Sequence, residues 1–222
     1  MRYSSLKLIV FLLLGVSCNR ANYQKLTWLP PSDSNVHLEI AKTRVFPDTL
    51  NKVLYNTDIK ILTKSFSGLL FIKKNAPQQY QLVFTTKMGM SLFDMAWNDT
   101  GFVYHTSIEQ METYDIITQI KEDFEMLFEI SNLRNGQRIS RSKFSIDKKK
   151  DFDIKQYSIT EGISDYYFKH KNKSHFYKIE KVEGKKIKVS INLLEYDEGL
   201  PSKINIKHLG KGLKINMEKL EQ

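Results

Sequence analysis

The sequence predicts a mainly β, α+β fold: an incomplete antiparallel β-barrel of about ten strands covered by one or more α-helices. Three observations carry that expectation. Short stretches rich in β-branched and aromatic residues recur along the chain with turn residues between them. One segment instead places its apolar residues at three- and four-residue steps. Phe 13, Tyr 11 and Trp 2 set against Gly 10 and Pro 5 in 222 residues exclude a low-complexity or disordered chain and supply one substantial core.

The strands follow in order. Residues 53–62, 67–74, 80–86, 91–97 and 101–106 read as an antiparallel meander, punctuated by Lys74-Asn75-Ala76-Pro77 and Asn98-Asp99-Thr100-Gly101. Period-two alternation puts Tyr80, Leu82 and Phe84 on one face of their strand, and Phe93, Met95 and Trp97 on one face of the next. Between Glu112 and Glu129, the recurrence of Ile116, Ile117, Ile120, Phe124, Leu127 and Phe128 predicts an amphipathic helix of about four turns, with Asp115, Lys121, Glu122, Asp123 and Glu125 off the stripe. Its apolar face needs a partner, and the sheet is the obvious one. Residues 134–160 show little periodicity, and seven Lys or Arg face one Asp between 134 and 150. Strands resume at 164–170, 175–182, 186–196, 202–208 and 213–220, with turns at Lys171–Ser174, Glu183-Gly184 and Gly210-Lys211-Gly212.

The amino terminus is a separate matter. Residues 1–18 read MRYSSLKLIVFLLLGVSC, in which Arg2 and Lys7 precede a nine-residue apolar run, Leu8 to Val16. Nine helical residues cover roughly 14 Å, about half a bilayer's hydrocarbon core, so the segment is read as a signal peptide and not a span. Gly15-Val16-Ser17 directly before Cys18 resembles the lipobox of bacterial lipoproteins, with Leu14 four places before the cysteine. The resemblance implies a diacylglyceryl thioether on Cys18, which becomes the first residue of the mature chain. Cys18 is the chain's single cysteine, which excludes an internal disulfide and any multi-cysteine metal site. The expected organisation is a signal peptide over 1–17, a lipidated N-terminus and tether over 18–32, and one domain over 33–222. Losing Arg2 and Lys7 lowers the formal charge of +9 by two. Asn19, not an acidic residue, follows the cysteine, and lipoprotein sorting logic then favours the periplasmic face of the outer membrane.

The run YQLVFTTKMGMSLFDM at 80–95, the turn at 98–101 and the Ile- and Phe-rich helix resemble the lipoprotein-localisation family of LolA and LolB, LolB more closely. The early strand Gly68-Leu69-Leu70-Phe71-Ile72 and the closing hairpin from Pro201 through Gly210 to Met217 resemble the same family. The resemblance implies a half-barrel whose apolar cavity holds the acyl chains of a lipoprotein or lipid, with no bond made or broken. It implies a monomer that receives acylated cargo from a LolA-like periplasmic carrier, and it agrees with lipidation at Cys18. Cavity candidates are Leu82, Phe84, Phe93, Met95, Trp97, Ile117, Ile120 and Phe124. A family-like membrane-contact loop falls on Met88, Gly89 and Met90; alternatively the two methionines are ordinary hairpin residues. The competing function is a non-catalytic structural or accessory envelope lipoprotein whose half-barrel is filled or serves a protein partner.

Other chemistry is weakly represented. His170 and His175 stand five apart across a Lys-rich turn, His37, His105 and His208 are scattered, and no Ser-His-Asp, HExxH or Gly-rich phosphate loop is legible. No metal site, cofactor or enzymatic activity is therefore expected. Asp94, in an apolar strand, is read as solvated or satisfied by a Lys in preference to a catalytic carboxylate. The basic stretches 134–150 and 169–188 fit anionic headgroups better than nucleic acid, because a secreted, lipid-anchored chain seldom meets the latter.

Overall fold

A computed structural model describes residues 44–77, 79–98, 100–113, 115–129, 175–184 and 186–221, together with backbone strands at 27–28, 143–147, 154–161 and 164–171. Cys18, the expected signal peptide over 1–17, most of the expected tether over 18–32 and His37 lie outside the described residues.

The first half of the chain builds β2 (Lys52–Ile61), β3 (Lys64–Ala76), β4 (Gln79–Thr85), β5 (Ser91–Asn98) and β6 (Gly101–Ser107), preceded by the short β1 (Thr27–Trp28). Two helices follow, α1 (Glu109–Thr113) and α2 (Ile116–Glu129). The second half adds β7 (Lys143–Asp147), β8 (Ile154–Glu161), β9 (Ser164–Lys171), β10 (His175–Glu183), β11 (Lys186–Asp197), β12 (Leu200–His208) and β13 (Leu213–Lys219). All ten expected strands are present. Strands β7 and β8 occupy the stretch where the sequence shows little periodicity.

Every pairing is antiparallel, and the strands form one open sheet in the order β1-β7-β8-β9-β10-β11-β12-β13-β2-β3-β4-β5-β6. Two meanders are joined at the middle, where β13 pairs with β2 from Leu213↔Ile61 to Lys219↔Tyr55. Strands β1 and β6 are the edges, so the sheet does not close into a barrel. The alternation read from sequence sets the buried face: Tyr80, Leu82 and Phe84 on β4, Phe93, Met95 and Trp97 on β5, and Ile204 and Ile206 on β12 are all buried.

Two boundaries differ from the sequence reading. Leu62 is not the end of a strand. Ile61 pairs with Lys64, which closes a two-residue turn on Leu62 and Thr63. The single helix of 112–129 is two, because Asp115 takes a left-handed conformation (φ 53°) that an α-helix cannot contain. Close approach of strands is enforced at Gly68: a Cβ there would stand 2.0 Å from the Thr85 carbonyl oxygen of β4.

A helix latched into the concave face

Helix α2 lies on the buried face of the sheet, as its amphipathic pattern requires. Ile116, Ile120, Phe124, Leu127 and Phe128 are buried, and Ile117 is half-buried at the margin. The C-terminal end of α2 is fixed by aromatic packing. Phe128 stacks on Tyr80 of β4 with ring centroids 4.3 Å apart and planes 3° from parallel. It also meets Phe46 at 5.5 Å, Phe124 at 5.6 Å and Trp97 at 6.2 Å.

The middle of α2 is fixed by a buried polar pair. Asp123 is wholly buried, and both its oxygens lie on His208 Nε2 of β12, at 2.8 and 2.9 Å. Burial pushes the Asp123 carboxyl up from 3.8 to about 6; the hydrogen bond and charge of His208 oppose that rise. Next to it, Glu122 and Lys181 of β10 are 3.6 Å apart. The helix is thus attached to β4 at one point and to β10 and β12 at others, across the width of the concavity.

Of the eight cavity candidates, Leu82, Phe84, Phe93, Met95, Trp97, Ile120 and Phe124 are at most 4% exposed and belong to the core that packs under α2. Met95 and Ile117 line a pocket of about 290 Å³ where α1 and α2 meet β5 and β6. Phe102 completes its apolar floor, and Tyr104, Glu112, Asp115, Thr118 and Lys121 form its polar mouth. At the mouth, Tyr104 Oη donates to Glu112 Oε1 at 2.9 Å and Ser107 Oγ donates to the same oxygen at 2.5 Å. These two hydrogen bonds hold the Glu112 carboxyl below its usual range.

The membrane-contact candidates stand at the tip of the β4–β5 hairpin. Met88 is 99% exposed, and Gly89 has the left-handed φ of 86° that the turn requires. Thr86 organises the tip: its N–H donates to the Met90 carbonyl, its carbonyl accepts from Gly89 N–H, and its hydroxyl accepts from Met90 N–H.

The chain has a LolA-like fold. It superposes on a LolA superfamily protein of Nitrosomonas europaea with a TM-score of 0.56 at 10% identity, covering 85% of this chain and 91% of that one. A DUF1329 family protein of Desulfovibrio piger gives a TM-score of 0.48 at 7% identity over 84% and 89% of the two chains. Neither a family model nor a curated protein matches the sequence.

Within this LolA-like sheet the remaining candidates are placed as follows. Asp94, expected to be solvated or satisfied by a lysine, is half-buried and accepts a hydrogen bond from an amide, Gln81 Nε2, at 3.3 Å. His175 stacks on Tyr196 at 4.3 Å, His105 is exposed on the edge strand, and the side chain of His170 lies outside the described residues. Among the described residues no three His, Cys, Asp or Glu converge on a metal-sized site, and no helix is long and apolar enough to cross a bilayer.

The Asp123–His208 pair escaped the sequence reading, although a signal was present. Asp123 falls on the stripe 116, 120, 123, 127, and His208 continues the buried alternation of Ile204 and Ile206. A polar residue in register with a core pattern marks a buried polar contact. Asp123 is therefore not one of the solvent-side residues of the helix.

Proposed function

We propose that the protein binds the acyl chains of lipoproteins or lipids on the concave face of its half-barrel and delivers them to the outer membrane. In this reading it is anchored at the periplasmic face through a lipid on Cys18, as a monomer supplied by a LolA-like carrier, and no catalytic step is involved. The observation that carries the reading is an amphipathic helix seated on an open, apolar sheet and fixed at its middle by a single buried polar pair. The LolA-like fold supports it.

The pocket beside Ile117 sits at the lower end of the roughly 300–1,000 Å³ typical of small-molecule sites. It accommodates the end of one chain. Fuller occupancy requires α2 to move and expose Phe93, Ile120 and Phe124. Met88 then acts at delivery, entering the bilayer from the tip of its hairpin.

Native mass spectrometry of the full chain carrying Cys18→Ser, incubated with a diacylated lipopeptide, tests the reading. A one-to-one adduct is expected, and a protein that never takes up an acyl chain overturns it. The accessory-lipoprotein alternative has a specific observation in its favour, the near-complete burial of seven of the eight cavity candidates. It predicts that no adduct forms.

A further inference from the structure

Four hairpin turns among the described residues share one end of the sheet; the one between β10 and β11 carries Glu183, which is paired with Lys181 and Lys188, and the other three are successive along the sheet. Leu213 of β13 pairs with Ile61 of β2, and β2 to β5 are successive neighbours, so the turns at 62–63, 86–90 and 209–212 come to the same rim. The three most exposed large apolar side chains among the described residues all stand there: Met88 at 99%, Leu62 at 74% and Met90 at 58%. Around them, residues 60–65, 85–91 and 207–214 carry Lys60, Lys64, Lys87, Lys207, Lys211 and Lys214, all exposed, and no Asp or Glu.

Leu62 is the informative member. It occupies a left-handed position (φ 50°) in a two-residue turn where Asn, Asp or Gly is the unstrained choice. A large aliphatic residue that is both strained and exposed contributes nothing to packing that explains it, and such outliers concentrate at functional surfaces. Its side chain passes beside Gly212. Gly212 leaves room for it, since a Cβ at 212 would stand 3.2 Å from Leu62 Cδ2. Leu62 is presented outward from a tight two-residue turn, as Met88 is from the turn that Thr86 organises.

We propose that this rim is a two-pronged docking surface for an anionic lipid bilayer. Leu62 and the Met88–Met90 tip enter the headgroup layer, and the six lysines lie against lipid phosphates. The chemistry favours a bilayer as occupant. The apolar groups are separate protruding tips and not one contiguous patch of the kind that forms the core of a protein interface. Apolar tips set among cations match the amphipathic boundary of an anionic membrane. The inference extends the contact role given to Met88 and needs no cargo, so it and acyl-chain uptake can each fail alone.

The test is co-sedimentation of the full chain carrying Cys18→Ser with vesicles of phosphatidylethanolamine and phosphatidylglycerol, or of phosphatidylcholine. Every variant keeps the same N-terminus, so its own membrane affinity is common to all comparisons. Met88→Glu and Leu62→Asn are each expected to weaken binding to the anionic vesicles about tenfold. Lys64→Glu with Lys211→Glu is expected to weaken binding to anionic vesicles only, and added salt to do the same. Leu62→Asn relieves strain, so it is expected to raise Tm while it lowers binding, which separates docking from folding. Wild-type binding by Leu62→Asn, or equal binding of the wild-type rim to both vesicle types, overturns the proposal.

Discussion

Asp123 of α2 and His208 of β12, 85 residues apart in sequence, meet with both carboxylate oxygens within 2.9 Å of Nε2 in a site from which water is excluded. Removing one member leaves the other buried without its partner, which typically costs about 3–5 kcal/mol. His208→Leu is therefore expected to be severely destabilising, whereas Asp123→Leu combined with His208→Leu costs much less. Urea denaturation of the two single variants and the double variant gives the coupling. Simple additivity would mean that the pair does not act as a unit.

The same pair gives stability a pH dependence of defined sign. The folded protein holds the Asp123 proton up to about 6, against an ordinary 3.8. The associated stabilisation is full below the unfolded value and is lost as pH rises through about 6. The facing charges are His208, Glu122 and Lys181. Relative to Asp123→Asn, which does not titrate there, the wild type is expected to lose on the order of 2 kcal/mol between about pH 4 and 6.5. Denaturation midpoints of both proteins across that range measure it, and a wild-type stability that holds constant or rises relative to Asp123→Asn as pH increases contradicts the assignment.

Gly68→Ala tests how closely β3 and β4 must approach. The new methyl would meet the Thr85 carbonyl oxygen at 2.0 Å and its carbon at 2.9 Å, and neither backbone atom can swing aside. A loss of about 1–3 kcal/mol is expected. Hydrogen exchange should show it first in the amides of β4 and the 86–90 turn, and a Tm equal to the wild type's would rule out the steric account.

Ile117 is half-buried at the pocket margin, so enlarging it fills the space without disturbing the core under α2. Ile117→Trp is expected to leave Tm within a few degrees and to cut uptake of a fluorescent fatty acid several-fold. Unchanged uptake would remove the pocket from the binding route.

What could be read in the sequence, and what could not, follows from the range of the interactions. Period-two alternation at 80–84 and 93–97 and the helical stripe from Ile116 to Phe128 are local patterns; the first set the buried faces of its strands, and the second set that of the helix except at Asp123, which is buried, and Ile117, which is half-buried. The break at Asp115 and the turn at Leu62 are left-handed positions: Asp tolerates that conformation but is equally at home in a helix's polar face, and Leu seldom adopts it, so the local pattern announces neither. The pairing of β13 with β2 and the contact of Asp123 with His208 join distant parts of the chain. A residue's own neighbours carry its burial period but not the identity of its partner across the fold.

The order of the strands also decides what sort of cover α2 is. The chain leaves the sheet at the edge strand β6 and re-enters at β7, next to the opposite edge, with α1 and α2 in between. The helix is therefore a strap fastened at both ends, and when it lifts it cannot diffuse away. A tethered group of this kind faces its site at an effective concentration of roughly millimolar. Under the proposed function, a guest on that face would have to outcompete a ligand that the chain itself always supplies. In the proposed carrier role, weak amphiphiles would be turned away for that reason alone, and a multi-chain guest, whose several tails bind together, would be the competitor able to prevail.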